Sequence, residues 1–254
     1  MLMHRQGKTR GTGLADGTKH RLAKISKRVF SKTVSGAIML LTDTVRKESG
    51  SLNERFYALP EDKRKSIISA GFRVFSQYSY KNSPMSEIAA EAGISKSLLF
   101  YYFKNKKELY LFLCRYSTEL TEQEMARQKC FEKEDFFGIF LSGLKVKVQL
   151  MRTYPELSLF QLKAYYEKDS SLRPEINRLI GEYSGYEKQS RMLKLDREGF
   201  IEGLDLEMMY TDMFLASQGY LWEKLQSGDI DPDQMEKDFI RMIGFWRGLY
   251  SRRK

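Results

Sequence analysis

Lys96, Ser97 and Tyr101 fall within two helical turns of one another, just after Gly93. They sit in the stretch Ser83-Pro84-Met85-Ser86-Glu87-Ile88-Ala89-Ala90-Glu91-Ala92-Gly93-Ile94-Ser95-Lys96-Ser97-Leu98-Leu99-Phe100-Tyr101-Tyr102-Phe103. Side chains of these types can read a DNA duplex. A lysine donates to guanine O6 and N7 or to phosphate, a serine bonds either, and Leu98 can touch a thymine methyl. The phenols of Tyr101 and Tyr102 offer donors to phosphate. Downstream, Asn105 can cap the next helix with Glu108 in a capping box, aiming helix N–H groups and the charge of Lys106 at a backbone phosphate.

Other chemistries find little support. The two histidines, His4 and His20, both precede Arg21, which removes His-based metal sites and His-activated nucleophiles from the rest of the chain. No Gly-rich phosphate loop, paired metal-ligand motif or nucleophile elbow occurs. A carboxylate-only or Lys-based enzyme stays formally open, but the expectation is no catalytic residue, no metal and no cofactor. Two cysteines, Cys114 and Cys130, make no disulfide framework and suit a reducing cytoplasm. No apolar run approaches the roughly eighteen residues needed to span a bilayer, so no membrane role is expected.

The elements that would position these residues follow from pattern. Ser83 suits an N-cap and Pro84 a first helical position. Ile88, Ala89 and Ala92 turn one apolar face inward, and Gly93 permits a tight turn between crossed helices. Ile94 can plug the angle, and Ser95 caps a second helix. In that helix Leu99 and Phe103 face the core; Lys96, Ser97 and Tyr101 lie on another face, with Leu98 and Tyr102 at its flanks. A short helix that starts with small and basic residues suits a recognition helix. The bland alternative is a helical hairpin with a surface lysine.

Charge distribution favours the first reading. The chain of 254 residues carries a net charge of +10. Residues 1–50 contribute +8 and residues 55–107 contribute +6, whereas residues 108–254 contribute −3. The basic potential is confined to the N-terminal part, as a footprint for phosphate requires. Residues 1–50, with Gly7, Gly11, Gly13 and Gly17 among Thr, Lys and Arg, read as a flexible basic extension. It suits a basic arm strengthening DNA binding, a membrane-surface helix, or a start placed too early, with Met39 as an alternative initiation point. The last of these, or a silent tail, is the expectation, because nothing downstream requires the segment.

From Pro60 onward the pattern is helical. Ile68, Phe72 and Phe75 form a core-facing stripe, and further helices are expected at 106–129, 134–153, 156–167, 173–196, 206–227 and 232–250. Asp231-Pro232-Asp233-Gln234 is a strong helix start. No segment alternates like a strand, so the chain is expected to be all-α.

The stretch from Lys63 to Leu109 resembles the DNA-binding domain of the TetR family of bacterial transcriptional regulators. The features that match are the first helix with Phe75, Ile88-Ala89, Ala92-Gly93-Ile94-Ser95-Lys96, and Leu99-Phe100-Tyr101-Tyr102-Phe103-Lys104-Asn105-Lys106-Lys107-Glu108-Leu109. Two positions depart from the family pattern. Phe100 stands where Tyr is usual, removing a hydroxyl often given to phosphate, and Ser79 stands where Gly is frequent.

The resemblance implies a three-helix helix-turn-helix domain over 55–107 and a helical ligand-binding and dimerisation domain over 108–254. Its DNA-binding candidates here are Ser83, Ser86, Lys96, Ser97, Leu98, Tyr101, Tyr102 and Lys106. Phe140, Leu144, Phe160, Tyr165, Tyr183, Tyr186 and Met213 are candidates to line a ligand cavity, as an apolar wall with phenolic handles. Tyr210, Phe214, Leu221, Phe239, Ile243 and Trp246, on two helices apolar on more than one side, are candidates for a twofold homodimer interface. The implied function is a cytoplasmic, ligand-responsive repressor that binds a palindromic operator and is released by a small molecule. A helical binding module whose basic head recognises protein rather than a DNA sequence is the alternative.

Overall fold

The computed structural model describes residues 54–133, 135–183 and 199–252. Residues 1–50, Tyr186 and the side chain of Tyr183 lie outside the description. Every regular element among the described residues is a helix; two extended residues, Phe200 and Ser251, form an isolated bridge.

Four helices build the head: α1 (Glu54–Tyr57), α2 (Glu61–Gln77), α3 (Met85–Glu91) and α4 (Lys96–Tyr102). The short α1 was not expected from sequence. It drives Phe56, fully buried, between Phe103 and Phe112, with ring centroids 5.0 and 5.3 Å away. In α2, Glu61 and Asp62 complement the positive end of the helix dipole, and Ile68, Phe72 and Phe75 are buried as the pattern indicated. Pro60 sits at the N-cap rather than inside the first turn.

The body comprises α5 (Lys106–Arg127), α6 (Phe136–Thr153), α7 (Pro155–Tyr165), α8 (Arg173–Tyr183), α9 (Leu206–Ser227) and α10 (Pro232–Tyr250). Side-chain caps fix several of the starts. Asp135 Oδ1 accepts from Gly138 N at 2.8 Å, Asp205 Oδ1 from Met208 N at 3.0 Å, and Asp231 Oδ1 from Asp233 N at 2.9 Å. Pro155 ends α6, because the residue before a proline is pushed out of the helical region; Tyr154 accordingly has φ −134° and ψ 68°.

The core forms two clusters. One runs without interruption from the head into the body, joining Phe56, Phe72, Phe75, Leu99 and Phe103 to Tyr110, Leu113, Leu150, Phe160 and Ile176. Gly71 makes this junction close: a Cβ there would lie 2.7 Å from Leu113 Cδ1. The second cluster packs α9 and α10 on the other face of α6, through Phe136, Phe140, Leu144, Met213, Phe239 and Trp246. Helix α6 is therefore buried on both sides, Val146 and Leu150 facing one cluster and Leu144 and Val148 the other.

Candidate functional site

The turn between α3 and α4 is built as its sequence indicates. Gly93 adopts φ +67°, a left-handed conformation that costs glycine little, while Ile94 N donates to Ala89 O at 3.0 Å and Gly93 N to Ala90 O at 3.1 Å. Ser95 then caps α4, its Oγ accepting from Leu98 N at 3.1 Å. Leu99, Tyr102 and Phe103 form an i, i+3, i+4 stripe and anchor α4 to the head core. Lys96, Ser97, Leu98, Phe100 and Tyr101 are left facing outward, with Ser86 exposed on α3. Tyr101 is 54% exposed, and the Arg55 guanidinium lies 4.4 Å over its ring.

Three sequence expectations need correction. Tyr102 does not flank the outward face: its ring is buried, 6.4 Å from Phe56, because position 102 shares the inward stripe with Leu99. Ser83 is also buried. Its hydroxyl donates to Ser79 O at 2.8 Å, and α3 starts only at Met85, with Pro84 at the cap and no side-chain cap bond. Lys106 turns inward. Its ammonium donates to the carbonyls of Tyr80, Lys81 and Ser83 at 2.9, 3.0 and 3.0 Å, and lies 5.1 Å from the Tyr80 ring. That lysine clamps the α2–α3 connection, and its desolvation pulls its pKa below the usual lysine value.

Arg55 is the residue that sequence reasoning missed on the outward face. Nothing in its local pattern marks it; it is placed by the burial of the neighbouring Phe56. The α5 cap forms, Glu108 N donating to Asn105 Oδ1 at 2.9 Å, but Glu108 Oε2 accepts from Lys104 N at 2.8 Å, one residue further back than in the usual capping box.

A second site lies in the body. A cavity of about 150 Å³ opens between α5 (Cys114, Ser117, Thr118, Thr121), α6 (Lys147, Val148, Met151) and α7 (Ser158, Gln161, Leu162, Ala164, Tyr165), closed by α8 (Ile176, Leu179, Ile180) and α9 (Phe214, Gln218, Leu221). Of the residues expected to line a cavity, Tyr165 does so. Phe160 is instead fully buried in the first core cluster, where its ring meets Phe72, Phe75 and Tyr110, and Phe140, Leu144 and Met213 are buried in the second. Burial lowers the Lys147 ammonium to about 8 and raises the Cys114 thiol.

The residues expected at a dimer face are also redistributed. Phe214 and Leu221 line the cavity, Tyr210 stacks on Phe214 and meets Phe140 edge-on within the body, and Phe239, Ile243 and Trp246 are buried against α6. Each apolar stripe was real, but these positions face the subunit's own core. The apolar residues left outward on α9 and α10 are Met208, Leu215, Ile240, Phe245 and Leu249.

A short capped helix, crossed over a second through a left-handed glycine and exposing basic and hydroxyl side chains, defines a helix-turn-helix. Residues 67–112 match the model of the bacterial regulatory proteins of the tetR family. The regulator RutR of Escherichia coli is 34% identical over 98 residues, covering 38% of this chain. The match spans 44% of the length of that relative. A TetR family regulator from Chloroflexus aurantiacus shares the fold with a TM-score of 0.62 at 23% identity, over 79% of this chain and 99% of that one. AibR, solved with isovaleryl coenzyme A and operator DNA, does so with a TM-score of 0.57 at 16% identity, over 72% and 97%.

No group of His, Cys, Asp and Glu among the described residues could hold a metal ion, and no helix there is long and apolar enough to cross a membrane.

Proposed function

We propose that the protein is a cytoplasmic transcriptional repressor that binds a palindromic operator as a homodimer and is released by a small molecule held in the body cavity. The observation that carries this reading is the outward face of α4. Lys96, Ser97, Leu98 and Tyr101 stand in solvent on a helix whose opposite side is locked by Leu99, Tyr102 and Phe103. In the major groove, Lys96 and Ser97 at the helix N-terminus meet base edges, and Tyr101, with Arg55 stacked on it, meets phosphate. Ser86 on α3 extends the contact along the backbone.

Two such heads must be held at the spacing of successive major grooves, roughly 34–36 Å or a multiple. The outward apolar face of α9 and α10, with Leu215, Ile240 and Phe245, suits a second copy of the chain, pairing like with like about a twofold axis. A ligand that wedges between α5, α7 and α9 shifts α7, and with it the heads that α7 supports.

The test is selection from a random duplex library by the full chain, followed by titration of the selected duplex. A palindromic site bound far more tightly than a scrambled duplex, with affinity falling steeply in salt, is expected. Binding that is weak, indifferent to sequence and indifferent to salt overturns the proposal.

A further inference from the structure

We infer that Arg55 is itself a DNA-binding residue: its guanidinium grips a backbone phosphate beside the groove that α4 enters, and the Tyr101 ring is the platform that aims it. This rests on reading α4 as the element that enters the major groove.

Position comes first. Helix α1 is a single turn, and Phe56 fixes it in place. That side chain is fully buried, with its ring 5.0 Å from Phe103, 5.3 Å from Phe112 and 6.4 Å from Tyr102. These partners belong to the end of α4 and the first turns of α5. A second tie holds the end of α1, where Arg64 Nη1 donates to Tyr57 O at 2.6 Å. With Phe56 and Tyr57 turned inward, Arg55 is left exposed beside the last turn of α4.

Orientation follows from the ring. The guanidinium carbon of Arg55 lies 4.4 Å from the centre of the Tyr101 ring, inside the range in which a cation is attracted to an aromatic face. A guanidinium held there keeps the N–H fork at its edge, and that fork matches two phosphate oxygens at once. A lysine ammonium in the same place offers only a point charge.

The donors of Arg55 are also uncommitted. Among the described residues it has no ion pair or hydrogen bond besides the ring contact. Other cations of the head serve the fold instead. Arg64 holds the Tyr57 carbonyl, Arg73 pairs with Glu91 at 3.3 Å, and Lys106 holds three carbonyls of the α2–α3 connection.

Distance decides what Arg55 meets. Tyr101 lies five residues beyond Lys96 on α4, about 7.5 Å along the helix axis. With Lys96 at the base edges, that offset reaches the wall of a groove roughly 12 Å wide, where phosphates stand rather than bases.

The experiment titrates a selected palindromic duplex and a scrambled one over a salt series, using the full chain. The proteins are wild type, Arg55→Ala, Arg55→Lys, Tyr101→Ala and the double variant Arg55→Ala/Tyr101→Ala. Arg55→Ala should weaken palindrome binding about five- to tenfold and lower the slope of log affinity against log salt by about one. Its melting temperature should stay within a degree or two, because the side chain is exposed. Arg55→Lys should restore the slope but only part of the affinity. The double variant should lose clearly less than the product of the two single losses, because the guanidinium acts through the ring. An unchanged salt slope in Arg55→Ala, full affinity in Arg55→Lys, or single losses that simply multiply overturns the inference. Should Arg55→Ala fail to fold, Arg55→Gln, which keeps the length of the side chain, reads the same slope. Wild type that selects the palindrome with Arg55 making no difference refutes the grip and leaves the operator reading standing. An Arg55-dependent salt slope on both duplexes without any preference between them does the reverse.

Discussion

The ammonium of Lys163, on α7, donates to the backbone carbonyl of Ser76 in the last turn of α2. One long side chain from the body thus caps the carboxyl end of the longest helix in the head, where intrahelical donors have run out. Its neighbours Gln161, Leu162, Ala164 and Tyr165 line the cavity, and the Tyr165 carbonyl is held in turn by Arg173 Nη1 at 2.8 Å. Helix α7 thus joins the head to the wall of the cavity.

Lys163→Met is therefore expected to loosen the head on the body. Affinity for a full palindromic duplex should fall about five- to tenfold, while affinity for a half-site, which needs no fixed spacing, should change less than twofold. Fluorescence anisotropy on the two duplexes makes the comparison. Equal losses on both would indicate a damaged reading head instead.

Lys106 and Tyr101 should behave in opposite ways. Lys106→Met strips three carbonyls of their common donor, so it should lower unfolding stability by about 2 kcal/mol, seen as a reduced melting temperature. Tyr101→Ala removes an exposed side chain and should leave the melting temperature within a degree or two, while weakening duplex binding about tenfold. A melting temperature unchanged in Lys106→Met would contradict the clamp.

Local signals were legible wherever a few adjacent residues determine the geometry. Gly93, Ser95, Asn105 and the Asp231-Pro232 start each act as the sequence indicated, and the helix-turn-helix and most helix bounds follow from them. What failed was the assignment of faces. Helices α6, α9 and α10 are apolar on more than one side, so sequence alone could not tell which stripe meets the subunit's own core; Phe239 and Trp246 do, and Phe245 does not. Lys106 failed for a related reason, since its three acceptors lie on a connection more than twenty residues upstream. Nor could α1 be foreseen, because a single helical turn has no periodicity to read.

Phe245, 67% exposed at the centre of the outward face of α10, should be required for pairing. Phe245→Asp places a charge in that apolar patch and should convert dimer to monomer in light scattering, with helical circular dichroism unchanged. The same variant should lose cooperative binding to a palindrome. A dimer that survives Phe245→Asp would move the interface elsewhere.

Lys147 also predicts a pH dependence of stability. Its folded pKa, about 8, lies below the value of 10.5 for an unperturbed lysine, so between those limits the unfolded chain holds a proton that the folded one does not. Stability therefore rises with pH across that window, and the burial penalty is fully present below it. Relative to Lys147→Met, wild type should be less stable at pH 7 by up to about 3 kcal/mol, and the gap should close by pH 10.5. Denaturant unfolding of both proteins at a series of pH values reads this directly.

The central claim is that the outward side of α4 reads a DNA sequence. Its most direct test is to titrate a selected palindromic duplex and a scrambled duplex of equal length with wild type and with Lys96→Ala/Tyr101→Ala at one salt concentration. Wild type should prefer the palindrome by about a hundredfold or more, and the double variant should lose most of that preference while remaining folded and dimeric. A folded double variant that still discriminates as wild type does would contradict the account.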